Sequence, residues 1–448
     1  MKMKPGSGIV LFMGNPDSPM NYSANIYPFR QDSSFLYYFG LDKPCLAAVI
    51  DLEQELEIMF GDDPTIDEIV WTGPQQSLQE VCEKVGISKS KPFNQLKPVI
   101  EKALNKHRTI HYLPQYRAEN IITISKLLNI DPAQVNANTS KDFIRAVAAQ
   151  RSVKSSEEIR QIEAALEITR QMHLAAMKRS KAGVCEKEIV AMMESIAISN
   201  GVRFAFPAIF SIHGETLHNT SWDNVMQTGD IAINDSGAES PLHYAGDITR
   251  TIPIGGKFSQ QQREIYQIVY NTQQSAIESI KPGVEFRDVH KIAAIELMAG
   301  LKEIGIIKKS SQEAVNAGVH TLFFQCGLGH MLGLDVHDME PLGEDYVGYT
   351  DTIKRSNEFG WKWLRLAKAL EPGYVITVEP GIYFIPHLID LWKSQNKLAD
   401  FIDYAQLEKY RGFGGVRIED DVLVTDSACR ILGPQIPKSI DEIEAMTS

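Results

Sequence analysis

The stretch from Ile233 to Thr251, INDSGAESPLHYAGDITRT, places two aspartates between short β-rich runs. The runs at its ends, DIAIND and DITRTIPI, predict two paired strands. Asp235 and Asp247 lie 12 positions apart (247 − 235), so a hairpin would bring their carboxylates toward each other. If the two aspartates oppose each other in an antiparallel pair, the even difference requires an odd-length loop, such as Ser240-Pro241-Leu242, or a bulge.

Three further segments place titratable side chains among apolar residues. The segment CGLGHMLGLDVHD holds His330 and His337, VITVEPGIYF holds Glu379, and GVRIEDD holds Glu419. A charge inside an apolar run is unexpected, because burying a charge is costly unless it is paired or bound to a metal. Each segment also has an ordinary explanation. Glu379 could face solvent on an edge strand, since Pro380 cannot continue a central ladder. Glu419 could begin a charged strand end, and His330 could be a hydrogen-bonded core histidine.

The chain of 448 residues is long enough for two to four domains. Up to about Thr139, β-rich segments such as GIVLFMG and CLAAVIDL alternate with helical ones such as NQLKPVIEKALNKH, which predicts an α/β domain. From about 140 to 180 the pattern is helical, with a possible capping box from Ser155 to Glu158. We interpret this part as a long helix that joins two domains, 1–150 and 151–448; a helix inside one continuous domain is the alternative. Beyond Gly201, separate runs of strands and helices predict an α+β fold.

Composition excludes several classes of function. A formal charge of −12 and a pI near 5.5 argue against a protein that mainly holds nucleic acid or an anionic membrane surface. The 5 cysteines are far apart and form no C-x-x-C pair, which is typical of a reducing compartment. We find no signal-peptide pattern and no apolar run long enough to span a membrane. The sequence therefore predicts a soluble, cytoplasmic protein.

In chain order the candidate residues form the set Asp, Asp, His, Glu, Glu. This ordered set resembles that of the pita-bread metallopeptidases, and within them the aminopeptidase P and prolidase branch. The resemblance runs from about Lys154 to Gly433 and, more weakly, through YPFRQDSSFLYYFGL, which is similar to the N-terminal domain of aminopeptidase P. It implies a C-terminal pita-bread catalytic domain and a smaller N-terminal α/β domain that helps to close the site or to build a homodimer.

The resemblance implies that five side chains hold two divalent metal ions: Asp235, Asp247, His330, Glu379 and Glu419. Asp247 and Glu419 would bridge the ions, Asp235 would bind one of them, and His330 with Glu379 would bind the other. Two like charges about 4 Å apart repel by about 4 kcal/mol at an effective dielectric of about 20, so a cluster of four carboxylates favours bound cations. Manganese is usual in this branch, and cobalt or zinc are alternatives.

The implied reaction is hydrolysis of an Xaa-Pro bond at the free N-terminus of a peptide, with a metal-bridging hydroxide as nucleophile. Glu379 is the expected proton acceptor, and His218 and His337 would hold the scissile carbonyl and shuttle protons. Arg365 lies where prolidases place an arginine that pairs with the free carboxylate of a dipeptide. This favours an Xaa-Pro dipeptidase. An Xaa-Pro aminopeptidase acting on longer peptides is the alternative, and a non-catalytic binding protein of the same fold is a remote one.

Two positions depart from the family pattern. Many relatives have a histidine four residues before the metal-binding one, and this chain has Cys326 there. Metal binding should survive, because this position is not one of the five ligands. The metal preference could differ from that of the relatives, because residues around the ligands tune the metal. Relatives also commonly place the two aspartates eleven apart, whereas Asp235 and Asp247 are 12 apart.

Overall fold

The computed structural model describes Met3 and residues 8–447. Contacts among the described residues divide the chain into two compact units. The first unit ends at Arg151 and also takes in Met339–Val347, and the second unit contains the rest of the described chain from Ser152 onward.

The first unit is built on a five-stranded sheet of order β4-β3-β2-β1-β5. Its strands are β1 (Ile9–Met13), β2 (Ala47–Asp51), β3 (Leu56–Phe60), β4 (Ser90–Lys91) and β5 (Ile110–Tyr112). The pairs β1–β2 and β2–β3 are antiparallel, whereas β1–β5 and β3–β4 are parallel. The β-rich segments GIVLFMG and CLAAVIDL form β1 and β2, and apolar side chains of three neighbouring strands, such as Leu11, Val49 and Phe60, pack into one core.

The same part of the chain also forms helices. They are α1 (Ser33–Phe39), α2 (Ile66–Thr72), α3 (Leu78–Lys84), α4 (Leu96–Asn105), α5 (Ala118–Leu128) and α6 (Lys141–Ser152), with 3-10 turns at Phe93–Gln95, Pro132–Gln134 and Asn136–Asn138. Ile100 of α4 and Ile124 of α5 are fully buried in the same core as the strands. The segment Met339–Val347 adds a 3-10 turn at Glu340–Leu342 and, in chain order, helix α12 (Glu344–Val347).

The helical stretch after residue 140 is two helices rather than one. Helix α6 ends at Ser152, and α7 (Ser156–Arg179) begins after the N-cap Ser155. The backbone of Ser155 is extended, with φ −70 and ψ 167, so the helix cannot continue through it. Ser155 Oγ accepts a hydrogen bond from the Glu158 amide, and the Glu158 carboxylate accepts one from the Ser155 amide, which confirms the predicted capping box.

The second unit contains three small sheets with the strand orders β6-β7-β8, β13-β12-β9 and β10-β11. The strands are β6 (Ile209–Ser211), β7 (Ile231–Ser236), β8 (Ile248–Pro253), β9 (Val375–Val378), β10 (Gly381–Tyr383), β11 (Gly415–Arg417), β12 (Asp420–Val424) and β13 (Cys429–Ile431). Single antiparallel bridges tie further segments to these sheets: Glu419 pairs with Thr249 of β8, and Met331 pairs with Ile376 of β9. These bridges bring the chain around His330 and the chain around Glu419 to the end of the β7–β8 hairpin.

The helices of this unit precede, separate or follow these strands in the chain. They are α7, α8 (Glu186–Ser199), α9 (Gln260–Ser279), α10 (Phe286–Glu303), α11 (Ser311–Asn316), α13 (Pro386–Ser394), α14 (Tyr404–Leu407) and α15 (Ile440–Thr447), with 3-10 turns at Val319–Leu322, Trp361–Trp363 and Glu408–Tyr410. Helices α9 and α10 are among the helical runs that the sequence predicts beyond Gly201. None of the helices within residues 8–447 is both long and apolar enough to cross a bilayer.

The β7–β8 hairpin has a different register from the one expected. Asp235 pairs with Thr249, and Asp247 lies just before β8, so the two aspartates do not oppose each other. They are diagonal neighbours on one face, because Asp247 is two residues from the partner of Asp235. The loop has an odd length as predicted, but it is 241–243, one residue later than expected. The Ser240 amide donates to the Tyr244 carbonyl at 2.8 Å across it.

Candidate metal centre and active site

Three buried donor side chains from distant parts of the chain converge in the second unit. Asp247 lies just before β8, His330 lies next to Met331, which bridges to β9, and Glu419 lies just before β12. These three residues place their ligand atoms within 4.8 Å of one another. Their exposed fractions are 4%, 5% and 1%. Such a cluster of two carboxylates and an imidazole is a set of donors for a divalent cation.

Glu379 and Asp235 complete the set predicted from the sequence. Glu379 Oε1 and Asp247 Oδ2 each lie 3.5 Å from His330 Nε2. Asp235, on β7, lines the same cavity as the other four residues. The structure therefore brings together all five residues for which a metal-ligand role is predicted.

The ring of His330 is oriented for binding through Nε2. Its Nδ1 lies 3.0 Å from the Met331 carbonyl oxygen. A carbonyl only accepts hydrogen bonds, so Nδ1 carries a proton and Nε2 is the atom that faces Asp247 and Glu379. These three groups could therefore hold a cation together.

The electrostatics of the cluster also fits bound cations. Burial raises the pKa of Asp247, and repulsion from Asp235 adds to this shift. Burial raises the pKa of Glu379 to about 7, and burial followed by repulsion from Asp247 raises that of Glu419. The Oδ1 atoms of Asp235 and Asp247 are buried without a hydrogen-bond partner among the described residues. Ionised oxygens in such a place are stabilised by divalent metal ions.

Arg417 is a site residue that the sequence interpretation missed. Its Nη2 donates to Asp235 Oδ2 at 2.6 Å, its Nη1 to the Tyr383 hydroxyl at 2.8 Å and its Nε to Thr249 Oγ1 at 3.2 Å. The guanidinium is buried, so it offsets one charge of the acidic cluster directly. Its position two residues before Glu419 could have identified it, because alternate residues of a strand lie on the same face.

The run Glu419-Asp420-Asp421 is not an exposed strand end. All three residues are at most 3% exposed. Asp421 Oδ2 accepts a hydrogen bond of 3.0 Å from the Asp247 amide, which ties β12 to the start of β8. Asp420 points to another set of partners, where Arg250 Nη2 donates to it at 2.8 Å and Lys438 Nζ at 2.7 Å. Glu419 is therefore a member of the cluster, and Asp421 holds the backbone of Asp247 in place. Asp420 is neutralised separately by Arg250 and Lys438.

The cavity over the cluster has a volume of about 390 Å³ and includes both further histidines that the sequence singled out. The ring of His337 lies 4.4 Å from that of His330, measured between centroids. Burial lowers the pKa of His218, followed by the positive charge of Arg417. Phe206 and Pro207 form an apolar part of the wall. The cavity can therefore hold a partly apolar ligand beside imidazole rings and the carboxylates of the cluster.

Arg365 lies near this cavity without being among its lining residues in the described chain. The guanidinium is half-buried, and its positive charge contributes to the lowered pKa of His218. Cys326 lines the cavity wall. Burial raises the pKa of its thiol to about 12, and the charge of Glu379 acts in the same direction. Cys326 is therefore a neutral thiol beside the cluster at neutral pH.

The fold and this site define a metallopeptidase with a pita-bread catalytic domain, and comparisons with known proteins agree. The model of metallopeptidase family M24 matches residues 160–426, and the model of the aminopeptidase P N-terminal domain matches residues 1–111. The chain belongs to metallopeptidase family M24.

Its relatives include proteins named as Xaa-Pro peptidases. A probable Xaa-Pro aminopeptidase of Uncinocarpus reesii is 32% identical over 98% of this chain and 90% of its own length. The Xaa-Pro dipeptidase of Homo sapiens is 30% identical over 98% of this chain and 88% of its own. The structure of an Escherichia coli aminopeptidase P variant in complex with substrate matches with a TM-score of 0.82 and 29% identity, covering 99% of this chain and 94% of that one.

Proposed function

We propose that this protein is a dinuclear metal-dependent peptidase that hydrolyses the Xaa-Pro bond at the free N-terminus of a peptide. The convergence of Asp247, His330 and Glu419 within 4.8 Å carries the proposal. This cluster lies at a cavity that also contains His218 and His337. The relatives named above, which are Xaa-Pro aminopeptidases and an Xaa-Pro dipeptidase, support the class of substrate.

We propose that Asp235, Asp247, His330, Glu379 and Glu419 would hold two divalent metal ions, with Asp247 and Glu419 contributing to both. Manganese is the proposed metal, because four carboxylates and one imidazole form a mainly oxygen donor set. Cobalt and zinc are alternatives, and a zinc-substituted Escherichia coli aminopeptidase P is a structural relative. When bound, two such cations activate water and polarise the carbonyl of the scissile bond.

The remaining steps fall to side chains of the cavity. Glu379, whose pKa burial raises to about 7, is the proposed proton acceptor for the attacking water. His218 stays neutral at neutral pH because its pKa is lowered, so it can donate a hydrogen bond to the scissile carbonyl without adding charge. His337 is its proposed partner in holding the substrate and returning a proton to the leaving proline nitrogen.

The decisive test combines metal analysis with proline release from an Xaa-Pro dipeptide. We expect about two manganese ions per chain, consistent with a two-metal site. Replacing His330 with Ala should lower both metal content and turnover, because it removes the only imidazole of the proposed set. His387→Ala, which changes an exposed histidine of α13, is the matched control. A manganese-loaded protein without proline release would instead favour a non-catalytic binding protein.

We propose further that dipeptides are preferred, with longer Xaa-Pro-Yaa peptides as the alternative. Arg365 supports this preference. Its positive charge contributes to the lowered pKa of His218, and its guanidinium could pair with the free carboxylate of a dipeptide. Arg365→Ala should lower kcat/KM for Xaa-Pro by about 10- to 100-fold, as expected for a lost charge-assisted pair, and spare Xaa-Pro-Yaa. Arg160→Ala, at an exposed arginine of α7, is the control. Equal activity of Arg365→Ala and wild type on dipeptides would support the aminopeptidase alternative.

We propose that two copies of the chain form a homodimer and that this homodimer is cytoplasmic. Within each chain, the proposed domain boundary is at 150/151. The exposed face of α2 supports an interface, since Ile66, Val70 and Trp71 are 76%, 75% and 86% exposed. All five cysteines are free, which suits a reducing compartment. Light scattering tests the assembly. Trp71→Ser should shift the mass from dimer to monomer if this face forms the interface.

A further inference from the structure

A buried ion pair lies outside the predicted set of site residues. Lys154 Nζ donates to Asp338 Oδ2 at 2.8 Å, and each side chain is 1% exposed. Isolated charges at this depth are strongly unfavourable, so each partner depends on the other. Asp338 directly follows His337 in the chain, which places the pair next to the cavity.

Asp338 closes the loop that follows His330. Its amide donates to the Met331 carbonyl at 2.9 Å, and its Oδ1 accepts from the Asp335 amide at 3.4 Å. Gly333 packs directly against the carboxylate, since a Cβ atom at Gly333 would lie 2.5 Å from Asp338 Oδ2. The carboxylate therefore fills the inside of the loop 331–338 and sets its shape.

The two ends of this loop are held in different ways. At the His330 end, the chain is bonded to β9, with the Thr377 amide donating to the His330 carbonyl at 3.0 Å and the Leu332 amide to the Val375 carbonyl at 3.0 Å. At the other end, His337 is followed by Asp338. The position of His337 over the cluster thus depends on where Asp338 is fixed.

Lys154 is itself anchored to the strands of the site. Its amide donates to the Gly373 carbonyl at 2.8 Å, and the Gly373 amide donates to the Val424 carbonyl at 2.9 Å. Val424 ends β12, the strand that begins directly after Glu419. The backbone of Lys154 is therefore tied through Gly373 to the end of the strand that follows one of the proposed metal ligands.

We propose that the Lys154–Asp338 ion pair positions His337 for catalysis. Lys154 acts through Asp338 and is a positioning residue, without contact to the substrate. The proposal rests on the function proposed above, in which His337 holds the scissile carbonyl. It assigns to Lys154 a part in turnover that is separate from metal binding, because neither partner is a proposed ligand.

The test is a double-mutant cycle between Lys154→Met and His337→Ala in the manganese-loaded, full-length protein. Lys154→Met should lower kcat for an Xaa-Pro dipeptide by about tenfold or more, since small misplacements of a catalytic group have effects of this size or larger. Manganese content should be unchanged. In the His337→Ala background, Lys154→Met should cause no further loss of kcat. Lys154→Arg, which keeps the charge, should restore most of the activity.

Two further variants complete the test. Lys154→Met with Asp338→Asn removes both charges, so this double variant should fold even if the single one does not, and it should show the same loss of kcat. Lys187→Met breaks an exposed pair with Asp223 and is the matched control. Full kcat in a folded Lys154 variant, or an equal loss with and without His337, would overturn the proposal. A wild-type protein that releases no proline would instead overturn the function on which it rests.

Discussion

Thr249 and Glu419 exchange two hydrogen bonds. Thr249 Oγ1 donates to Glu419 Oε2 at 2.6 Å, and the Glu419 amide donates to the Thr249 carbonyl at 3.1 Å. Thr249 also faces Asp235 across the β7–β8 pair. One threonine therefore orients a proposed bridging ligand and belongs to the strand that opposes another ligand.

Replacing Thr249 with Val should weaken metal binding. The hydroxyl supplies the hydrogen bond that holds one oxygen of Glu419, and loss of such outer contacts typically lowers metal affinity by about 10- to 100-fold. Calorimetric titration of the metal-free protein with manganese measures the change. Thr272→Val, at a buried threonine whose hydroxyl donates to the Ile268 carbonyl of its own helix α9, is the matched control. Equal affinities for Thr249→Val and wild type would contradict the role.

Replacing Arg417 with Met should destabilise the metal-free protein by about 3–5 kcal/mol, because it leaves the buried Asp235 carboxylate without its cation. The free energy of unfolding, measured in urea with a chelator, reports this loss. Manganese should recover part of it by supplying positive charge at the same carboxylates. Arg170→Met, which breaks a partly exposed pair with Glu167, should change stability by less than about 1 kcal/mol. Similar losses for both variants would rule out a special role for Arg417.

The metal-free protein should become less stable as the pH rises. Burial raises the pKa values of Asp247, Glu379 and Glu419 above their unfolded values, in the case of Glu379 to about 7. Between about pH 4.5 and 7 the folded metal-free protein then binds more protons than the unfolded chain, so its stability falls across this window. Tm in chelator should drop from pH 5 to pH 8, and the gain in Tm from manganese should be larger at pH 8.

The variant Glu379→Gln tests the origin of this effect. It removes the group whose pKa is near 7, so the Tm of the metal-free variant should depend less on pH than that of wild type. A pH dependence identical to that of wild type would show that Glu379 does not titrate in the folded protein.

Acid should destabilise the protein through the buried side chain of His320. The ring of His320 is buried against Trp361, and neither of its nitrogens has a hydrogen-bond partner among the described residues. Burial lowers its pKa to about 4. Because the unfolded chain takes up this proton near pH 6.5 and the folded chain does not, stability is lost as the pH falls from 6.5. The loss is at most about 3 kcal/mol by pH 4.

His320→Phe should therefore flatten the acid limb of the stability curve. Phenylalanine keeps an aromatic ring at this position and cannot bind a proton. Chemical denaturation at several pH values between 4 and 7 measures the difference between variant and wild type. His387→Phe, at an exposed histidine, should leave the slope unchanged. An unchanged slope in His320→Phe would mean that another group governs the acid limb.

The sequence predicted the members of the site better than their arrangement. Asp235, Asp247, His330, Glu379 and Glu419 could be found because charged residues inside apolar runs are rare and their order resembles a known family. All five line one cavity. The register of the hairpin could not be read from spacing alone, since the hydrogen bonds of the strands decide which residues pair.

Arg417 and Thr249 were missed for a physical reason. An arginine or a threonine in a strand is ordinary in sequence, and only the tertiary structure shows that these two point into a cluster of carboxylates. Lys154 and Asp338 are 184 residues apart in the chain, so their pairing has no local signal either. Contacts of this kind depend on the packing of distant segments.

The hairpin has a practical consequence for finding and modifying such proteins. Its register is fixed by β7 and β8, whereas the number of residues between Asp235 and Asp247 also depends on the loop 241–243. A search pattern with a fixed interval between the two aspartates would therefore miss relatives that differ only at the tip. Leu242 is 59% exposed there, so a short peptide tag could be inserted at this point while the distance between the two carboxylates stays the same.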